Sequence, residues 1–164
     1  MIGLKCPNLD GYPATLWYDF VTMRMACANV QTGKIPLMLV GTGIDIVEIE
    51  RIAHSITRYG PRFLEKIFTP GEIAYCRRKK NAAESFAARF AAKEAGAKAL
   101  GTGIQHGVSW KEIEVRRLPG QRPTLHLSGR ALHFAERLGV QHVSLSLTHT
   151  ATLAMASVHL ENGQ

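Results

Sequence analysis

The sequence predicts an α+β fold, a small antiparallel-sheet domain with one long central helix. Three observations lead there. Residues 82–103 form an alanine-rich run that Gly101 ends where a helix stop is expected, and alanine is the strongest helix former. The stretches 37–46, 142–148 and 153–160 are aliphatic or alternate apolar with polar residues at the period of a strand. Short helical and hairpin patterns separate them, so helices intersperse with strands that are mostly antiparallel.

At 164 residues the chain suits one domain with an appendage. Pro7, Gly11, Pro13, Gly33 and Pro36 punctuate residues 1–37, where no period persists. That segment reads as a non-domain extension from an upstream start, with Trp17, Tyr18 and Phe20 free to dock and the working domain over 38–164. It lacks the basic start and apolar stretch of a secretory signal. Twenty basic residues against thirteen acidic ones give a net charge of +7. That balance favours an anionic partner, although it also serves plain solubility. Cys6, Cys27 and Cys76 are far apart with no C-x-x-C, which argues against zinc and suits free thiols in a reducing cytoplasm. No apolar run reaches the roughly 18 residues of a membrane span.

In chain order, Leu37 to Ile46 reads as a strand in which Ile44 and Ile46 face one side and Asp45 the other. Asp45 has three readings: a surface charge, a helix N-cap or a metal ligand. Gly41 and Gly43 permit close approach of a ligand. Ile49, Ile52, Ala53 and Ile56 recur at helical spacing up to Gly60, leaving Arg51 off the apolar stripe as a solvated cation or a contact to an acidic protein. A short helix follows over 61–68. Thr69, Pro70 and Glu72 spell a new helix start. Arg77 to Lys80 is a solvated turn or an anion contact.

The long helix opens on Asn81 and Glu84, a capping box, and stops at Gly101. At about 100° per residue, Phe86, Phe90, Ala97 and Leu100 share an apolar stripe. Glu94 sits at its margin with Lys98 one turn on, while Arg89 and Lys93 occupy the opposite flank. One reading is an exposed i,i+4 ion pair. The other gives Glu94 a metal, with Lys98 and Arg89 receiving phosphate. Beyond it, Val108 to Leu118 alternates as a strand, Pro119 to Pro123 turns, and Thr124 to Leu127 pairs back. Ser128 caps a helix ending at Gly139. His142 opens the first closing strand on its polar face, as a structural or a binding histidine.

The segment ARFAAKEAGAKALGTG, residues 88–103, resembles the core motif of the holo-(acyl-carrier-protein) synthases, the bacterial 4′-phosphopantetheinyl transferases. So do V-G-T-G-I-D-I near the start, F-T-P-x-E, I-E-V, and H-V-S-L-S before a downstream A-x-A-x-V, in the family's order from about Leu39 to Leu160. The stretch between His142 and that closing alanine pair is longer than the family pattern, which leaves His149 without an assigned role.

The resemblance implies transfer of 4′-phosphopantetheine from coenzyme A to a serine of apo acyl carrier protein, releasing adenosine 3′,5′-bisphosphate. It implies Mg²⁺ held by Asp45 and Glu94, with Lys98 on the pyrophosphate. It also implies Arg89 on a coenzyme A phosphate, Gly101 and Gly103 presenting N–H groups to phosphate, and His142 at the nucleotide end. Arg51 is implied as the contact to the acidic carrier, and a homotrimer with active sites between subunits follows by family analogy. The proton acceptor is either Glu94 or a metal-bound water. The alternative reading is a small basic nucleic-acid-binding protein using Arg77 to Lys80; the low aromatic content, 7%, speaks against a base-stacking platform.

Overall fold

The computed structural model describes residues 38–104 and 107–163. The expected extension over 1–37, with Trp17, Tyr18, Phe20, Cys6 and Cys27, lies outside the described residues. In order come β1 (Met38–Glu48), α1 (Ile49–Tyr59), α2 (Pro61–Ile67), α3 (Pro70–Arg77) and α4 (Ala82–Ala99). A 3₁₀ turn (Trp110–Glu112), β2 (Ile113–Arg116), β3 (Thr124–Leu127), α5 (Gly129–Arg137), β4 (His142–His149) and β5 (Leu153–Asn162) follow. β1, β5 and β4 form one antiparallel sheet in that order, and β2 and β3 a separate hairpin. The fold class is α+β, as the patterns predict.

The core is where α4 meets these sheets. Ala154, Ala156, Val158 and Leu160 of β5 are buried on the side of the large sheet that faces α4, and Ile113, Val115 and Leu125 are buried in the hairpin. Gly96 of α4 faces the hairpin: a Cβ there would stand 3.0 Å from Leu125 and 3.1 Å from Ile113. Enclosed from several directions, α4 is buried well beyond the one stripe its phenylalanines predict. Ala88, Ala92, Ala95 and Ala99 on the far side of the helix are buried, and so are Arg89 and Lys93 on the flank away from Glu94. Alanines on every face make this possible, since a short side chain lets neighbouring backbone approach from any direction.

β1 carries a second difference. Ile44 and Ile46 are exposed, 50% and 58%, while Asp45 shares the helix-facing side with Gly41, Gly43 and the buried Val47. The glycines select that face. A Cβ on Gly43 would lie 2.0 Å from the Ala95 carbonyl oxygen, so only a bare Cα lets α4 come this close.

The starts and stops largely follow the local signals. Thr69 Oγ1 accepts from the Glu72 N–H (3.2 Å), and the Glu72 carboxylate accepts from the Thr69 N–H (2.9 Å), completing the capping box of α3. Asn81 caps α4 by accepting from the Glu84 N–H, but Glu84 answers the Asn81 side-chain amide rather than its backbone. The strand expected from Val108 shortens to Ile113–Arg116, because Ser109 and Glu112 cap a 3₁₀ turn before it. Ser128 precedes α5 without capping it; its hydroxyl donates to the Glu112 carbonyl. Cys76 is a buried free thiol, its pKa pushed up to about 11 chiefly by burial.

Candidate active site

β1 and α4 bring Asp45, Glu94 and Lys98 together. Lys98 Nζ donates to Asp45 Oδ1 at 2.8 Å and to the Ile44 carbonyl at 3.1 Å. The expected Glu94–Lys98 surface pair is therefore replaced by a cross-element pair. Glu94 is half-buried one turn before Lys98. Burial first, and then the negative charge of Asp45, hold its carboxyl above the usual range, against the pull of Lys98 and Arg51. Two acids close enough to repel, with two cations beside them, form a cluster that gains from a further positive ion. Among the described residues no third acid, histidine or cysteine joins them. A set of two carboxylates suits Mg²⁺, which keeps several waters and shares its coordination with substrate phosphates. Arg51, exposed on α1, adds its charge at the border of this cluster.

Arg89 lies elsewhere on α4. It is 5% exposed, donates through Nη1 to the Ser85 carbonyl (3.2 Å), and stacks 4.0 Å over the Tyr75 ring. Its Nε is buried with no partner. The pocket beside it, about 380 Å³, is lined by Tyr75, Lys79, Arg89, Arg117, Leu147 and His149 among others. Burial would raise the Tyr75 hydroxyl, but the Lys79 hydrogen bond and the charges of Lys79, Arg117 and Arg89 outweigh it and set the pKa below its ordinary value. Three cations, Lys79, Arg89 and Arg117, line this pocket against one acid, Glu84. Lys79 thereby turns part of the basic run into the wall of a cavity. Asp45, Glu94 and Lys98 do not line the pocket: the acids lie at the β1 edge of the sheet and the pocket at the β4 edge.

The remaining expected residues are placed as follows. The N–H groups of Gly101, Thr102 and Gly103 all bond to the end of α4, at Lys98 O, Ala97 O and Ala97 O, so they complete a helix C-cap and none is left pointing outward. Both glycines have positive φ with nothing within 4 Å of a built Cβ, which leaves open space beside them. His142 is exposed, pairs with Glu161, and lies on the outward side of the sheet, away from Asp45. Residue patterns missed the buried pair of Glu72 and Lys93, at 2.8 Å and 0% exposure on both sides. The lack of a broad polar face on α4 was the available signal. His149 was left without a role, and the structure places it in the wall of the basic pocket beside Arg89.

Residues 41–156 match the family model of the 4′-phosphopantetheinyl transferase superfamily. A holo-(acyl-carrier-protein) synthase of Solibacter usitatus is 58% identical over 125 residues, 76% of this chain and the whole of that one. One from Xanthobacter autotrophicus is 48% identical, over 74% of this chain and 93% of its own. Among solved structures, the Neisseria meningitidis holo-(acyl-carrier-protein) synthase superposes with a TM-score of 0.69 at 36% identity, covering 76% of this chain and all of that one. The Bacillus anthracis synthase, solved in complex with coenzyme A (3′,5′-ADP), gives 0.64 at 37% identity over 78% and 100%.

Proposed function

Since the chain belongs to the 4′-phosphopantetheinyl transferase superfamily, we propose that it moves 4′-phosphopantetheine from coenzyme A to a serine of apo acyl carrier protein and releases adenosine 3′,5′-bisphosphate. The observation that carries this reading is the meeting of Asp45, Glu94 and Lys98 at one point between β1 and α4. Membership of this family sets the nucleic-acid alternative aside.

Asp45 and Glu94 would hold Mg²⁺, which when bound supplies positive charge to the pyrophosphate oxygens. The serine oxygen forms a bond to the phosphorus bearing pantetheine, and that phosphorus loses its bond to the oxygen bridging to the nucleotide phosphate. The serine proton passes to Glu94, the half-buried carboxylate of this cluster. The electron pair of the broken bond stays on the nucleotide, and Lys98, one turn away, offsets that charge. Arg89, with its unpartnered Nε, takes a coenzyme A phosphate in the basic pocket. Gly101 and Gly103 leave room for the nucleotide, and His142 contacts its outer end.

Two separated half-sites, together with the exposed Ile44 and Ile46 on the outer sheet face, support a homotrimer in which each active site joins the edges of neighbouring copies. Arg51, beside the acids, guides the acidic carrier to them. Residues 1–37 stand outside the transferase domain, since 125 residues here account for the full length of the Solibacter relative. A cytoplasmic setting suits the three widely spaced cysteines, none in a C-x-x-C. Incubating the protein with coenzyme A, Mg²⁺ and apo carrier tests the proposal. The carrier should gain the mass of one phosphopantetheine group, and an unchanged mass would overturn it.

A further inference from the structure

Glu72 and Lys93 form a fully buried ion pair that the transfer reaction does not use. The Lys93 ammonium has three N–H donors, and each has a partner: Glu72 Oε2 at 2.8 Å, the Trp110 carbonyl at 2.9 Å and the Ile113 carbonyl at 2.6 Å. Glu72 in turn accepts from the Thr69 N–H (2.9 Å) and the Val115 N–H (3.0 Å). One residue of α4 is thus tied to the start of α3, to the 3₁₀ turn and to β2.

Such a pair adds little to stability over an apolar replacement of equal volume, since burying two charges offsets much of their attraction. It adds direction. Much of the rest of α4's packing surface is smooth, with Ala87, Ala91, Ala92, Ala95 and Ala99 buried and Gly41 and Gly43 beneath the helix. Away from Phe86, Phe90 and Leu100, these small side chains form only shallow ridges and resist a turn of the helix about its axis weakly. The rim of a helix lies about 5–6 Å from that axis, so a turn of about 10° displaces a rim group by about 1 Å. Lys93 immediately precedes Glu94, so the three bonds of its ammonium set how far Glu94 leans towards Asp45.

We propose that Glu72 and Lys93 are positioning residues for Glu94 in the transfer step. They touch no substrate and act by fixing the rotation of α4. The proposal rests on the transferase reading above.

The test uses the full chain with Glu72→Gln and Lys93→Met combined, which removes both charges and keeps both volumes, and with Glu72→Gln alone. Three quantities are compared with wild type: thermal midpoint, kcat and KM for coenzyme A, and affinity for Mn²⁺ alone, read by the electron paramagnetic resonance of the free ion. The double variant should fold with a midpoint near wild type, keep its KM, lose about 10- to 100-fold in kcat, and bind Mn²⁺ several-fold more weakly. A folded variant with wild-type kcat and Mn²⁺ affinity would overturn the proposal, whatever its midpoint. If the double variant does not fold, Glu72→Gln decides by the same two readouts. If wild type transfers nothing, the transferase reading fails, and the Mn²⁺ comparison still judges the positioning.

Discussion

Replacing Gly43 by alanine perturbs the active site without touching any of its charged groups. A Cβ at that position stands 2.0 Å from the Ala95 carbonyl oxygen and 2.7 Å from the Ala99 nitrogen, whereas real Cβ contacts essentially never fall under 3.0 Å. Both neighbours are backbone, so no side chain can swing aside, and β1 and α4 must separate by about 1 Å. Lys98 and Asp45 bridge that seam at 2.8 Å, and an added ångström takes their pair out of hydrogen-bond range. Glu94, on the same helix, retreats from Asp45 with it. Overpacking of this kind costs about 1–3 kcal/mol, and each kcal/mol lowers the melting midpoint of a chain this size by about 2–4 °C. A 1 Å displacement at reacting groups costs about 100-fold in rate. Thermal unfolding followed by circular dichroism and single-turnover transfer to apo carrier, followed by mass spectrometry, would measure both effects. Wild-type melting together with wild-type transfer in Gly43→Ala would refute the idea that the bare Cα at 43 sets the helix against the strand.

The other expectations concern charges. Glu94→Gln should lower kcat by about 10²- to 10³-fold, through loss of a preorganised electrostatic group. Because the folded-state pKa of Glu94 is raised, its stability contribution is full below the ordinary glutamate value and is lost as pH rises through the higher folded value. At pH 7 to 8 the metal-free Glu94→Gln protein should therefore melt no lower than wild type, and a clear drop would contradict the strain assigned to the two acids. Lys98→Ala should slow transfer with little change in the KM for carrier; an effect on carrier KM alone would move Lys98 out of the phosphate site. Arg51→Glu should raise the KM for carrier at low salt, and the difference from wild type should shrink as salt rises. Removing residues 1–37 should leave kcat unchanged, and a loss of transfer by the folded remainder would place that segment inside the working domain.

The local signals that organise this chain were legible without coordinates. Thr69, Pro70 and Glu72 announce a helix start, Gly60 and Gly101 announce stops, and Pro119 to Pro123 announces a hairpin turn, because each depends on backbone geometry within a few residues. Asp45, Glu94 and Lys98 were legible as a set through the motifs that carry them. What the sequence could not rank was the direction of burial. A stripe of phenylalanines predicts one buried face, yet Ala88, Ala92, Ala95 and Ala99 are buried on the other side of the same helix, and two cations, Arg89 and Lys93, are buried with them. Lys93 is charged and reads as solvent-facing until Glu72, Trp110 and Ile113 supply its three partners from elements remote in sequence.

The sequence by itself determined most helix starts and stops and the hairpin turn, since caps, turns and periods act within one or two turns of chain; the strand read from Val108 begins only at Ile113. Tertiary structure alone decided that Asp45 rather than Ile44 and Ile46 faces the helix, and that Lys98 pairs with Asp45 rather than Glu94. It also decided that the basic pocket opens at the far edge of the sheet from the acids. Those outcomes depend on which faces of distant segments meet, and here two glycines and a row of alanines settle the matter by letting backbone approach backbone.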